Sequence, residues 1–133
     1  MDATNTTIIE FLNKPAVWTI PLYQRTYGWT RGQCEQIWKD IERLATKNKE
    51  GTHFIGSIVH IVPGTQLKSM LKPSIVIDGQ QRMTTVSLIL SALGKVMNEK
   101  KYSGEMNNTA IQDYFLFNNN EQGKKISVNS YKK

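Results

Sequence analysis

Apolar residues recur every three or four positions in three parts of the chain, which is the spacing of an amphipathic helix. The first part, residues 8–12, follows a T-x-x-E capping box at residues 7–10 and stops before Pro15. The second follows a T-x-x-Q box at residues 30–33, and the third and longest starts at Thr84. The apolar positions of these two longer helices are Ile37, Ile41, Leu44, Ala45, Val86, Ile89, Leu90, Leu93 and Val96.

Between the helices, β-branched and aromatic residues are enriched in short runs that are typical of strands. These runs are AVWTIPLY (16–23), HFIGSIVHIV (53–62), SIVI (74–77) and, near the end, KISV (125–128). We expect the second and third runs to pair antiparallel, and we predict one more short helix in TAIQDYFLF. The pattern predicts an α+β fold in which a small mixed β-sheet packs with helices.

Length and composition narrow the class of protein. At 133 residues and 39% hydrophobic positions, the chain suits one domain covering residues 1–133. The net charge of +6 favours contact with phosphates or other anions without identifying them. A single cysteine, Cys34, excludes an internal disulfide, and no apolar run is long enough to span a membrane, so we expect a cytoplasmic protein. Because the chain ends just after a predicted strand, we expect it to be an N-terminal fragment of a longer protein.

A polar segment, Asp-Gly-Gln-Gln-Arg (78–82), joins the third predicted strand to the longest predicted helix. One interpretation is a helix cap, in which Asp78 accepts the amide of Gln81 while the Gln81 side chain reaches back. Gly79 fits this reading, since a tight turn between a strand and a helix favours a residue without Cβ. The cap alone needs no ligand.

Arg82 is not explained by a cap, because a cation in the first helical turn faces the positive end of the helix dipole. An anion bound at the turn would remove that conflict. A phosphate can be bound by exposed amides, by a glycine that lets it approach the backbone closely, and by an arginine that donates two hydrogen bonds. We call this arrangement the cradle. Its members would be Gly79, Gln80, Arg82, Thr84 and Thr85. From the residues alone, the cap and the cradle both stay open.

A second polar cluster lies in IPLYQRTYGWT (20–30), where aromatic and basic residues alternate. If this segment is extended, its alternate side chains, Tyr23, Arg25, Tyr27 and Trp29, share one face. Arginine among aromatic rings can bind a base, a phosphate or a carboxylate. The alternative is that the rings cover the core while Arg25 pairs with an acidic residue.

Three segments taken together resemble a known family. IPLYQRTYGWT, HFIGSIV and IVIDGQQRMTTVSLIL, in this order and spacing, are similar to the N-terminal domain of the GmrSD-type modification-dependent restriction proteins. That family is similar in turn to the ParB and sulfiredoxin superfamily, whose members carry a Gly-x-x-Arg motif between a strand and a helix. Here the motif is residues 79–82. The resemblance implies a ParB/sulfiredoxin-like fold.

The resemblance also implies a function: a nucleotide-binding, regulatory domain of a DNA restriction protein in phage defence, with hydrolysis of the triphosphate as a further expectation. The implied cofactors are a nucleoside triphosphate and Mg²⁺, and the implied partners are modified DNA and a downstream His-Asn-His-type nuclease domain or subunit. The implied catalytic residues are Asp78, Gln81 and Arg82. The implied phosphate-binding residues are Gln24 and Arg25 together with the cradle named above. Tyr23, Tyr27 and Trp29 are the implied DNA or base contacts.

The sequence departs from this superfamily in one respect and lacks parts of the full-length proteins. Sulfiredoxins have a cysteine inside the Gly-x-x-Arg motif, whereas this chain has Gln80 and Gln81 there, so that reductase chemistry has no nucleophile. The two histidines, His53 and His60, fall in one predicted strand on opposite faces, so we expect no metal site and no DNA cleavage from this chain. The alternatives to nucleotide binding are a sensor of modified DNA without turnover and an interaction module that binds no ligand.

Overall fold

In a computed structural model the chain forms a mixed sheet with helices packed against it. The structure describes residues 2–14, 16–21, 26–47, 50–62, 64, 72–118, 123–124 and 126–129. The helices are α1 (Ile8–Asn13), α2 (Arg31–Thr46), α3 (Gln80–Glu99) and α4 (Asn108–Ile111), which continues into a π-helical turn (Gln112–Leu116). The strands are β1 (Ala16–Pro21), β2 (Val59–Ile61), β3 (Lys72–Asp78), β4 (Phe117–Asn118), β5 (Gly123–Lys124) and β6 (Ile126–Asn129).

The main sheet has four strands in the order β2-β3-β1-β6, and β4 and β5 form a separate two-stranded ribbon. β1 runs parallel to both of its neighbours, with Trp18 opposite Ser74 on β3 and Ile126 on β6. β2 is antiparallel to β3, and Val59 at its start lies opposite Asp78 at the end of β3. The carboxyl ends of β1 and β3 and the start of β2 therefore lie at the same end of the sheet.

Both capping boxes predicted from the sequence are present. At α1 the Glu10 amide donates to Thr7 Oγ1 at 3.2 Å, and the Thr7 amide donates to Glu10 Oε2 at 3.0 Å. At α2 the Thr30 amide donates to Gln33 Oε1 at 2.8 Å. Each box satisfies amides that the helix itself leaves without acceptors.

The core lies between the sheet, α1, α3 and the π-helical turn. The Phe11 and Trp18 rings stack at 4.3 Å, and the His60 ring meets Trp18 edge-on at 4.9 Å. The buried members of this cluster are Phe11, Leu12, Ala16, Trp18, Val76, Met83 and Phe115, against which Ile8, Ile20, Ile58, Val86 and Leu90 pack. The first turns of α3 thus lie between the core and the end of the sheet at which β1 and β3 finish.

The α+β class, the mixed sheet and the antiparallel pairing of β2 with β3 are confirmed. The strand predicted for residues 53–62 is shorter, because regular pairing is limited to Val59–Ile61. The prediction that both histidines lie in that strand is therefore wrong for His53 and right for His60. ParB likeness stays a prediction. None of the helices within the described residues is long and apolar enough to cross a membrane.

The α1 capping box predicts a pH dependence. The pKa of Glu10 lies below its ordinary value of 4.5, first because the Thr7 amide and then because the Thr7 and Thr6 hydroxyls bond the carboxylate. A depressed carboxyl pKa stabilises the fold above the unfolded value and loses that contribution as the pH falls through the folded pKa. Urea unfolding should show Glu10→Gln less stable than wild type at pH 7, and the difference should be smaller at pH 3, because Glu10 loses its charge as the pH falls.

Glu42→Gln is the matched control, because Glu42 is an exposed carboxylate on α2. It should change stability little at either pH. A Glu10→Gln deficit of the same size at both pH values would show that the charge of Glu10 is not what strengthens the cap.

Candidate functional site

Three chain segments converge on the first turn of α3. Residues 26–28 approach it from the side of β1, and residues 56–58 approach it from the side of β2. Both approaches follow from the strand directions, since the carboxyl end of β1 and the start of β2 lie at the carboxyl end of β3. In open sheets with parallel strands, ligands commonly bind at the carboxyl ends of the strands.

The turn itself depends on Gly79, the N-cap residue of α3, which has a φ of 93°. A Cβ at this position would lie 2.9 Å from the Ser57 carbonyl oxygen and 3.0 Å from Ile58 Cγ1. Left-handed backbone and close approach together require glycine. The Gly79 amide donates to Asp78 Oδ1 at 2.8 Å, and Gly79, as the N-cap residue, has no side chain that could cap the helix. The predicted cap between Asp78 and Gln81 is therefore wrong.

Gln81 contacts the segment after β1 instead of its own helix end. Its Oε1 accepts the Gly28 amide at 2.9 Å, and its Nε2 donates to the Thr26 carbonyl at 3.2 Å. One side-chain amide thus pairs with two backbone groups of residues 26–28. This fixes that segment against the turn, a role for which glutamine has both the donor and the acceptor.

Thr85, one turn further along α3, makes a second link to the same segment. Its hydroxyl donates to the Gln81 carbonyl at 2.8 Å and is bonded to the Tyr27 hydroxyl at 2.8 Å. The Tyr27 hydroxyl also lies 3.5 Å from Cys34 Sγ on α2. Either hydroxyl can be the donor in the bond between Thr85 and Tyr27.

The ionisation of Tyr27 reflects these neighbours. The Thr85 bond lowers the pKa of Tyr27, but the bond to Cys34, partial burial and the Cys34 charge outweigh it, so the pKa lies above the ordinary value of 10.0. Tyr27 is therefore protonated at neutral pH and remains a donor. The ring is 45% exposed, which leaves a face open beside the turn.

Arg82 points to the other side of the turn, towards residues 56–58. Its Nη1 donates to the Ser57 carbonyl at 2.8 Å. The guanidinium also packs on Gly56, where φ is 111° and a Cβ would lie 2.5 Å from Arg82 Nε. Among the described residues, no carboxylate pairs with Arg82. As far as the structure describes the chain, the guanidinium is therefore held by a neutral carbonyl and not by a carboxylate.

The remaining predicted residues are distributed as follows. Gln80 and Thr84 are half-buried in the first turns of α3, and Trp29 is half-buried just before α2. Tyr23, Gln24 and Arg25 lie outside the described residues. The structure thus brings Tyr27, Gln81, Arg82 and Thr85 to one turn, while their ligand-binding and catalytic roles stay predictions.

Sequence reasoning missed Gly56 and Ser57, which hold Arg82 from the opposite side. A signal was present, because a glycine inside an apparent strand often marks a bend or a close backbone approach. Gly28 was missed too, since only its amide takes part. Backbone groups leave little trace in the residue types of a sequence.

Two other features lie outside this site. A cavity of about 190 Å³ between α1, α3 and the π-helical turn is lined by apolar residues such as Leu12, Leu90 and Phe115, so it does not suit a phosphate. His53, which precedes β2, pairs with Asp40 of α2 at 3.1 Å. The described residues contain no cluster of three or more His, Cys, Asp or Glu side chains that could hold a metal.

The double contact of Gln81 leads to a prediction. Gln81→Ala removes two hydrogen bonds from a partly exposed position, so we expect unfolding in urea to lose about 1 kcal/mol. Amide hydrogen exchange should rise at residues 26–30. Gln112→Ala is the control, because the Gln112 side chain bonds Asn108 within its own helical region and no other residue that the structure describes. Unchanged exchange at residues 26–30 in Gln81→Ala would show that other contacts hold the segment.

Comparison with known proteins identifies the family of the chain. The model of one protein family, described as the N-terminal domain of the GmrSD restriction endonuclease, matches residues 8–133. The match includes β1, the Gly79 turn and α3, and the family connects the chain with a restriction system. No curated protein matches the chain. Because the family model covers nearly all of the sequence, the chain belongs to the N-terminal domain family of GmrSD restriction endonucleases.

Proposed function

We propose that the first turn of α3 binds the phosphates of a nucleoside triphosphate. The observation that carries the proposal is Arg82, a guanidinium held at the positive end of a 20-residue helix with no carboxylate partner among the described residues. The guanidinium and the positive end of the helix dipole repel each other unless an anion lies between or beside them. A phosphate group is attracted by the guanidinium and by the helix end, and arginine bonds it with more than one N–H.

The surrounding backbone supports the same ligand. The N-cap residue, Gly79, has no side chain that could cap the amides of the first turn. Gly79 adds no side chain that would block the approach of a phosphate to them. Tyr27, exposed on one side of the turn, offers a ring for stacking on a base. A nucleotide supplies both the phosphate and the base.

Mg²⁺ and hydrolysis belong to the proposal as its finer part. Magnesium in nucleotide sites is commonly held by one or two carboxylates together with the phosphates themselves. Asp78 is exposed at the turn, and one of its oxygens already accepts the Gly79 amide. Asp78 therefore fits a metal-nucleotide complex, whereas a metal site built from protein ligands alone is not needed.

Within the restriction system to which the family connects the chain, nucleotide binding would regulate a nuclease domain or subunit. Gln81 and Arg82 each connect the turn to a different segment, so phosphate bound there would affect residues 26–28 and 56–58 together. This gives a bound nucleotide a route to surfaces that another domain can contact. Modified DNA is the substrate class that the family implies for the complete system.

Titration separates this proposal from DNA sensing. Tyr27 bonds α3 beside the turn, and Trp29 follows Gly28, whose amide bonds Gln81, so intrinsic fluorescence should respond to ATP, GTP, CTP or UTP, with and without Mg²⁺. If the domain instead binds duplex DNA with an affinity that falls steeply with salt, and nucleotides do not compete, it is a DNA sensor. If it binds neither, the turn is structural.

Arg82→Ala is the sharpest prediction for the nucleotide site. The change removes a charge-assisted contact worth about 1.5–3 kcal/mol, so nucleotide affinity should fall about tenfold to hundredfold in calorimetry. The fold should survive, with a loss of about 1 kcal/mol because the bond to the Ser57 carbonyl disappears.

Arg31→Ala provides the matched control. Arg31 has a side chain 91% exposed and pairs with Glu35 on the surface of α2, so its removal alters the net charge equally without touching the turn. It should leave affinity within about twofold, as expected for a screened surface charge. Equal affinity of wild type and Arg82→Ala on folded protein would remove Arg82 from the site.

A further inference from the structure

The guanidinium of Arg82 depends on a segment with little regular structure. Its acceptor, the Ser57 carbonyl, lies in residues 51–58, which precede β2 and belong to no helix or strand. Phe54 in this segment is 82% exposed, so burial does not fix the chain at that point. Ile58 packs on the core and fixes one end. The other end needs a different anchor.

His53 provides that anchor. Its Nε2 lies 3.1 Å from Asp40 Oδ2, and the two side chains are 30% and 14% exposed. Because an ionised carboxylate only accepts, Nε2 carries the proton and donates. The contact joins residues 51–58 to α2 at a point three residues before Gly56.

Asp40 is held in place from within α2. Its Oδ1 accepts Gln36 Nε2 at 3.2 Å and Arg43 Nη2 at 3.3 Å, one from each neighbouring turn. Both oxygens of the carboxylate are therefore used, and its second oxygen is aimed at His53. A side chain fixed on both sides is suited to orienting a third group.

We infer that the His53–Asp40 pair positions Arg82 by fixing the Gly56–Ser57 backbone on which the guanidinium rests. His53 is thus a positioning residue: it touches no ligand and acts through the Ser57 carbonyl. The inference rests on the proposed function only for its consequence, which is nucleotide affinity. The position of Arg82 can be measured without any nucleotide.

The first readout is therefore the Nε–Hε resonance of Arg82 in nitrogen-proton correlation spectra of the nucleotide-free protein, assigned by its loss in Arg82→Lys. In His53→Ala it should move towards the resonance of the exposed Arg31. In His53→Gln it should stay near the wild-type position, because the glutamine Nε2 can replace the histidine donor. Glu42→Ala, which removes another charge from α2, should not move it.

The second readout is calorimetric affinity for whichever of ATP, GTP, CTP and UTP binds wild type most tightly. His53→Ala should weaken it about twofold to tenfold, as expected for one hydrogen bond, and His53→Gln should restore it. In the Arg82→Ala background, His53→Ala should cause no further loss. A residue that merely stabilises the fold would reduce affinity equally in both backgrounds or in neither.

The outcomes separate the positioning role of His53 from the proposed nucleotide binding. An unmoved Arg82 resonance in folded His53→Ala, or an equal affinity loss with and without Arg82, overturns the positioning role. If wild type binds none of the four nucleotides, the proposed function fails, and the resonance alone decides the positioning role. If His53→Ala does not fold, Asp40→Ala makes the same break from the other side and is judged by the same two readouts.

Discussion

The close approach of residues 57 and 58 to Gly79 is the constraint on which the site depends. A Cβ on residue 79 would lie 2.9 Å from the Ser57 carbonyl oxygen, and that oxygen is the acceptor for Arg82. One glycine therefore allows both the left-handed turn into α3 and the contact that holds the guanidinium. Any larger residue would strain the turn and displace the acceptor together.

α3 connects this edge to the rest of the fold. Met83 is fully buried, Val86 and Leu90 pack on the same cluster, and Thr85 bonds Tyr27 from the same helix. The polar first turn is thus carried by a helix whose position is set by the core. Sites built on rigid elements hold their geometry better than sites built on loops.

The sequence predicts the elements well because their signals are local. Capping boxes at residues 7–10 and 30–33 and the period of α3 depend on neighbours within one or two turns. The partners of Gln81 could not be predicted, because Thr26 and Gly28 lie 55 and 53 positions away. Only the parallel register of β1 and β3 brings them together. A cap was the natural interpretation of Asp-x-x-Gln, and it is wrong since Gln81 finds better-placed backbone groups across the sheet edge.

For the same reason, the contacts of Arg82 and His53 could not be predicted from the sequence. The dipole argument identifies Arg82 as unusual, yet it cannot name Ser57 as its acceptor. HFIGSIVHIV has the composition of a strand, but β3 ends at Asp78, opposite Val59, so the residues before Val59 do not pair with it. Gly56 has a φ of 111°, and His53 contacts Asp40. Long-range polar contacts of this kind depend on where the strands end, which the composition of one segment does not show.

Backbone amide chemical shifts test the central claim most directly. Nucleoside triphosphate with Mg²⁺ added to the labelled domain should shift the amides of residues 79–82 most, with smaller changes at residues 26–28 and 56–58. This is the pattern expected if phosphate binds the first turn of α3 and both segments respond. Shifts concentrated elsewhere on the domain, or none at saturating nucleotide, would contradict a phosphate site at this turn.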